Sequence, residues 1–175
     1  MLFFFLLLIF ILFLIFFLSS YLPKTSPISF TPRENSPREI PEIVIADLEK
    51  INTSKWKTEG LCRIILEKIF DKKFPSTNPS FLKNPSTGRN LQLDCYNEQL
   101  KLALEYNGEQ HYNFPNKFHH SKQDFDKQVH HDNLKKERCK EHRITLIVVP
   151  FTIRKKELVQ YITEKLEQSG FISII

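Results

Sequence analysis

The sequence predicts a small α/β domain behind a hydrophobic N-terminal helix. Three patterns predict it. Apolar positions recur at helical spacing in residues 54–70, apolar and polar residues alternate in residues 91–105, and a second helical stretch leads into the apolar run ITLIVVP, Ile144 to Pro150. With 175 residues, the chain has room for one cored domain and an extension.

The extension comes first. Residues 2–18 are an unbroken apolar run, near the lower length limit for a membrane-spanning helix. Its composition, Phe, Leu and Ile without Val, Ala or Gly, leaves three readings open: a membrane anchor, a cleaved signal, or a gene-model artefact. As an anchor, it has its first following cation at Lys24, so the positive-inside tendency places the domain on the cytoplasmic side. That intracellular setting suits the three cysteines, Cys62, Cys95 and Cys139, whose number and spacing indicate neither a disulfide framework nor a zinc knuckle. Residues 21–50 carry Pro23, Pro27, Pro32, Pro37 and Pro41 and read as an extended linker. The domain is expected over residues 51–175, and Glu42 to Ile51 is ambiguous between strand and helix.

In the first helix, near Lys55 to Phe70, Cys62, Ile65, Leu66 and Ile69 form one buried face. Glu59 shares that face. It reads either as first-turn charge compensation or as a carboxylate reaching toward a metal-bound water. KNPSTGRN, Lys83 to Asn90, is a turn cluster. Two alternating runs follow, Leu91 to Asp94 and Leu100 to Glu105, and both read as strands. A two-residue turn near Asn97 and Glu98 would set Asp94 opposite Lys101 and leave Asp94, Ala103, Glu105 and Asn107 on one face. Any wider turn that shifts the register by an even number keeps that face. Two carboxylates on neighbouring strands suit a hard divalent cation such as Mg²⁺ (or Mn²⁺), which takes oxygen ligands and keeps positions for water and phosphate. The competing reading is a solvated face bearing ordinary acids.

Ser121 and Asp124 predict the start of a second helix, Lys122 to Glu141. Along it Phe125, Val129, Asp132, Lys136 and Cys139 share a phase, with Lys135 one step round. Asp132 with a lysine reads either as an ion pair on the helix surface or as an inward-pointing pair. All six histidines lie between His111 and His142, but neighbouring histidines on a helix diverge, so a zinc site is not expected. ITLIVVP suits a central strand covered on both faces. RKKELVQYITEKLEQSG then predicts a last amphipathic helix through Leu158, Ile162 and Leu166, ending at Gly170.

The ordered set Glu59, Asp94, EYNGEQHY from Glu105, and HHDNLKKERCKEHRITLIVVP resembles the restriction-endonuclease-like PD-(D/E)xK superfamily, nearest to small nucleases related to the very-short-patch repair endonucleases. The likeness covers roughly residues 54–153. It implies an α-β-β-β-α-β core with strands near Ser80, Gln92 and Leu102 and a mixed sheet flanked by helices. It also implies that Asp94 and Glu105 are metal ligands with Glu59 as the helix carboxylate, that His111 and Lys135 stand near the scissile phosphate, and that Asp132 belongs with a lysine to an inward-pointing catalytic pair. The family's third motif position, often Lys and frequently Gln or Asp in the nearer relatives, is Asn107 here, so either the metal carries the water-activating task, another cation replaces it, or the site is weakened. Arg143 replaces the Gly that usually precedes the last strand. The expected function is metal-dependent cleavage of nucleic acid, DNA foremost, and the net charge of +5 suits that partner. The alternatives are an inactive nucleic-acid-binding module of the same fold and a membrane-tethered interaction protein.

Overall fold

The periodicity of residues 54–70 becomes helix α2, Thr58–Phe70, once the N-terminal part of the domain is counted. The structure, a computed structural model, describes residues 36–51, 57–115 and 121–175. These fall within one unit, Asn35–Ile175. Before α2 come strand β1, Arg38–Ile40, and helix α1, Glu42–Glu49. After it come β2, Cys95–Asn97; β3, Leu102–Asn107; helix α3, Lys122–Glu141; β4, Thr145–Pro150; helix α4, Leu158–Gln168; and β5, Ile172–Ile174. The architecture is mixed α/β. A three-stranded sheet runs in the order β2-β3-β4, antiparallel then parallel, and β1 pairs with β5 in a parallel ribbon.

The sheet separates two apolar clusters. On one side Leu102, Leu104, Ile147 and Val149 meet Leu61, Cys62, Ile65, Leu66 and Ile69 of α2 and Leu158, Ile162 and Leu166 of α4. On the other side Tyr96 and Ala103 meet Cys139 at the end of α3, with Leu82, Leu93 and Ile144. Burial pushes the Cys95 thiol up to about 12 and the Cys139 thiol up to about 11, so both behave as small apolar residues.

The structure differs from expectation in five places. The part of the expected linker from Arg38 to Glu49 is ordered: β1 pairs with β5, and Ile40 and Leu48 are buried in the larger cluster. Ser80–Leu82 is a 3₁₀ turn instead of a strand. Pro79 fixes φ just before it, and residues 77–93 make only the isolated bridges Thr77↔Leu93 and Lys83↔Asn90. No strand forms at Gln92 either, where Leu93 makes only the isolated bridge to Thr77; β2 starts at Cys95. The turn into β3 is also wider than two residues, because Cys95 pairs with Leu104 and Asn97 with Leu102. Lys101 closes it in the left-handed region at φ 49°, and the register shift is even, so the face of Glu105 is kept.

The fifth difference is at β4. It lies at the sheet edge with Ile147 and Val149 buried, whereas a central strand was expected. Its Pro150 suits an edge. The turn before it is built on Arg143 at φ 56°. Ile144 N–H donates to Cys139 O at 2.8 Å and Arg143 N–H to Lys140 O at 3.0 Å. This is the two-bond helix ending that Gly usually serves. At the end of α4, Phe171 N–H to Leu166 O and Gly170 N–H to Glu167 O repeat the same ending with Gly at φ 69°. Residues 2–18, expected to be a helix, lie outside the described residues; among the described residues no helix is long and apolar enough to cross a membrane.

Candidate active site

Alternation along β3 sends Leu102, Leu104 and Tyr106 toward the larger cluster, and Ala103, Glu105 and Asn107 to the opposite face. Glu105 is 5% exposed. One step beyond the Cys95–Leu104 pair, Asp94 stands across from it. Asp94 N–H donates to Glu105 Oε1 at 3.1 Å, and Tyr106 N–H donates to Asp94 Oδ2 at 2.9 Å. Each carboxylate thus caps the other strand's backbone, which fixes both against one surface. That surface is the wall of a cleft of about 620 Å³, also lined by Glu59, Gln92, Gly108, Gln110, His111, Lys135 and Phe151.

Lys135 reaches in from α3 and donates to Glu105 Oε2 at 2.5 Å; the two side chains are 13% and 6% exposed. Leu134 and Cys139 set the buried phase of α3, which turns Lys135 inward and leaves Lys136 exposed. Burial raises the Glu105 carboxyl above the usual carboxylate range, and Asp94 adds to that effect, while Lys135 opposes both.

Asp132, one α-helical turn before Lys135, accepts from His111 Nδ1 at 2.8 Å and from Gln128 Nε2 at 2.9 Å. With Nδ1 held, Nε2 is the ring nitrogen left to act in the cleft. The 3₁₀ turn Glu109–His111, directly after β3, brings the imidazole there.

Two expected residues are placed differently. Glu59 lines the cleft, yet its carboxylate is 3.0 Å from Arg63 Nη2 and 45% exposed, so the expected three-carboxylate metal set is not assembled. Among the described residues no group of three or more His, Cys, Asp or Glu side chains could hold a metal ion. Asn107, expected at the third motif position, is 6% exposed and does not line the cleft. Arg63 and Gln110 escaped the sequence reading. Arg63 ties α2 to the site by donating to Asp94 O at 2.8 Å and Phe74 O at 3.1 Å. Its i+4 offset from Glu59 was the available signal. Gln110 had only its place within EYNGEQHY.

The remaining pair still fits a hard cation. Asp94 and Glu105 present two carboxylates on one wall, and Mg²⁺ is commonly held by one or two carboxylates while keeping several waters.

No family profile and no solved structure matches the chain. Three viral proteins do. It is 40% identical over 121 residues to Uncharacterized protein 033L of Invertebrate iridescent virus 3, an alignment covering 69% of this chain and 62% of that protein. It is 42% identical over 105 residues to Uncharacterized protein 307L of Invertebrate iridescent virus 6, covering 57% and 52%. To Uncharacterized protein 094L of Frog virus 3 (isolate Goorha) it is 41% identical over 105 residues, covering 59% and 68%. The chain therefore spans less than two thirds of the length of the two invertebrate-virus relatives. With that identity over more than two thirds of the frog-virus protein, the chain belongs to the family of these viral proteins.

Proposed function

We propose that the chain is a metal-dependent endonuclease with a restriction-endonuclease-like core of the PD-(D/E)xK kind, hydrolysing phosphodiester bonds of DNA with Mg²⁺ or Mn²⁺. One observation carries the reading: Asp94 and Glu105, hydrogen-bonded to each other's strands, share a polar cleft with a lysine and a carboxylate-oriented histidine. Asp94 and Glu105 hold the cation. When bound, it supplies neutralisation of phosphate charge and acidification of a water. Lys135 brings a second positive charge to the same wall, the task that Asn107 cannot perform. As the water oxygen bonds to phosphorus, one of its protons passes to His111 Nε2, while Asp132 holds the ring. The bond from phosphorus to the leaving sugar oxygen breaks, and that oxygen takes a proton from solvent.

A second reading, an inactive nucleic-acid-binding module, is favoured by Asn107 and its set-back position. Supercoiled plasmid distinguishes the two. The chain should nick and linearise it with Mg²⁺ or Mn²⁺ but not with EDTA, and Asp94→Asn should abolish cleavage while salt-sensitive binding persists. Salt-sensitive binding by both proteins without cleavage by either establishes the inactive module. Neither binding nor cleavage ends both readings.

A further inference from the structure

The cleft is lined by one carboxamide that follows β3, and it is Gln110, not Asn107. Gln110, half-buried in the 3₁₀ turn after β3, lines the cleft together with Asp94 and Glu105. Its carboxamide is seated against Gly108. A Cβ built on Gly108 would collide with Gln110 Oε1 and stand 2.8 Å from Nε2 and 2.9 Å from Cδ. Gly108 has φ −66° and ψ 173°, a conformation open to any L-residue, so the backbone does not demand glycine here. What the missing side chain provides is room for the amide.

A carboxamide suits this place chemically. It carries an acceptor and two donors without charge, so it neither competes with a cation for Glu105 nor repels one. Lys135 is already committed to Glu105, and His111 Nδ1 to Asp132. We propose that Gln110 is a further catalytic residue of this cleft and that Gly108 is its positioning residue. Gln110 Oε1 accepts a hydrogen bond from the attacking water and Nε2 donates to a non-bridging phosphate oxygen. The proposal rests on the endonuclease reading and adds a neutral hydrogen-bonding group beside the positive charge that Lys135 brings.

The test uses the full chain with Mn²⁺ and a DNA oligonucleotide, comparing wild type, Asp94→Asn, Gln110→Ala, Gly108→Ala and the Gly108→Ala/Gln110→Ala double variant. Gln110→Ala and Gly108→Ala should each lower kcat roughly 100-fold, the scale of removing one preorganised donor, with KM within about twofold. Both should keep the Mn²⁺-induced rise in Tm that Asp94→Asn loses. Because Gly108 acts only through Gln110, the double variant should be no slower than Gln110→Ala alone. Independently of activity, Mn²⁺ should broaden the Gln110 side-chain amide resonances in wild type and not in Asp94→Asn.

Additive losses in the double variant, or wild-type rates for Gln110→Ala beside a dead Asp94→Asn, overturn the role of Gln110 and leave the endonuclease standing. A wild-type chain that does not cleave with Mn²⁺ overturns both.

Discussion

On one face of β3, Leu102 and Leu104 are fully buried among apolar side chains of α2 and α4; on the other, Glu105 is nearly as deeply buried but holds Lys135 and faces Asp94. The helix ends divide the same way. On the apolar side α4 closes on Gly170, whereas on the cleft side α3 closes on Arg143 in a left-handed conformation that costs a non-glycine residue about 1 kcal/mol. Both sides carry an apolar cluster, but the side of Glu105 also carries groups that a structure built for stability alone would avoid. A buried ion pair is often no better than apolar residues of equal volume, so Glu105 and Lys135 are explained by chemistry more readily than by folding.

That contrast predicts effects of decreasing size. Leu104→Ala on the apolar face should cost about 3 kcal/mol, lowering Tm by roughly 10 °C, because α2 and α4 cannot both collapse into the space. Thermal melts decide it, and a loss under 1 kcal/mol would erase the distinction between faces.

Lys135→Met should cost about 3 kcal/mol, since it strands a buried carboxylate, yet Glu105→Met/Lys135→Met should match or exceed wild-type stability by about 1 kcal/mol. A double variant less stable than Lys135→Met would mean that the pair itself stabilises the fold.

Arg143→Gly should add about 1 kcal/mol and roughly 3 °C in Tm without altering cleavage, because the cleft lining does not include Arg143. The smallest effect lies on the apolar side. Glu67 accepts from Phe74 N–H at 3.1 Å, which holds its carboxyl below the usual range, with Lys73 adding to it. A depressed folded value means stability that is present above about pH 4.3, the unperturbed carboxyl value, and lost as pH falls through the folded one. Glu67→Gln should therefore be less stable than wild type at pH 7, with the gap closing in acid. Tm profiles from pH 7 to 2 that stay parallel would contradict this.

Much of the contrast was legible in the residues. The buried face of α2 follows from the spacing of Cys62, Ile65, Leu66 and Ile69, and α3 runs over Lys122–Glu141 as its capping serine predicts. The shared face of Asp94 and Glu105 survived a wrong turn length, because period two tolerates any even slip. What stayed hidden depends on partners distant in sequence. Three-residue strands such as β1, β2 and β5 are too short to show alternation, and nothing in ITLIVVP tells an edge strand from a central one. Nor does spacing reveal that Gln110 is folded onto Gly108 while Asn107 is set back; that needs the 3₁₀ turn after β3.

The ribbon of β1 and β5 joins the two ends of the folded unit, with Ile175 N–H donating to Ile40 O and Glu42 N–H to Ile175 O. During synthesis this ribbon cannot form until the last strand has left the ribosome. The entropy of closing so long a loop falls on that step. Until then Ile40 and Leu48, which belong to the larger core, have no Phe171 or Ile172 beside them. A chain truncated before Ile172 should therefore be far more sensitive to protease near α1 than one that includes β5, although the sheet and the cleft residues are all present.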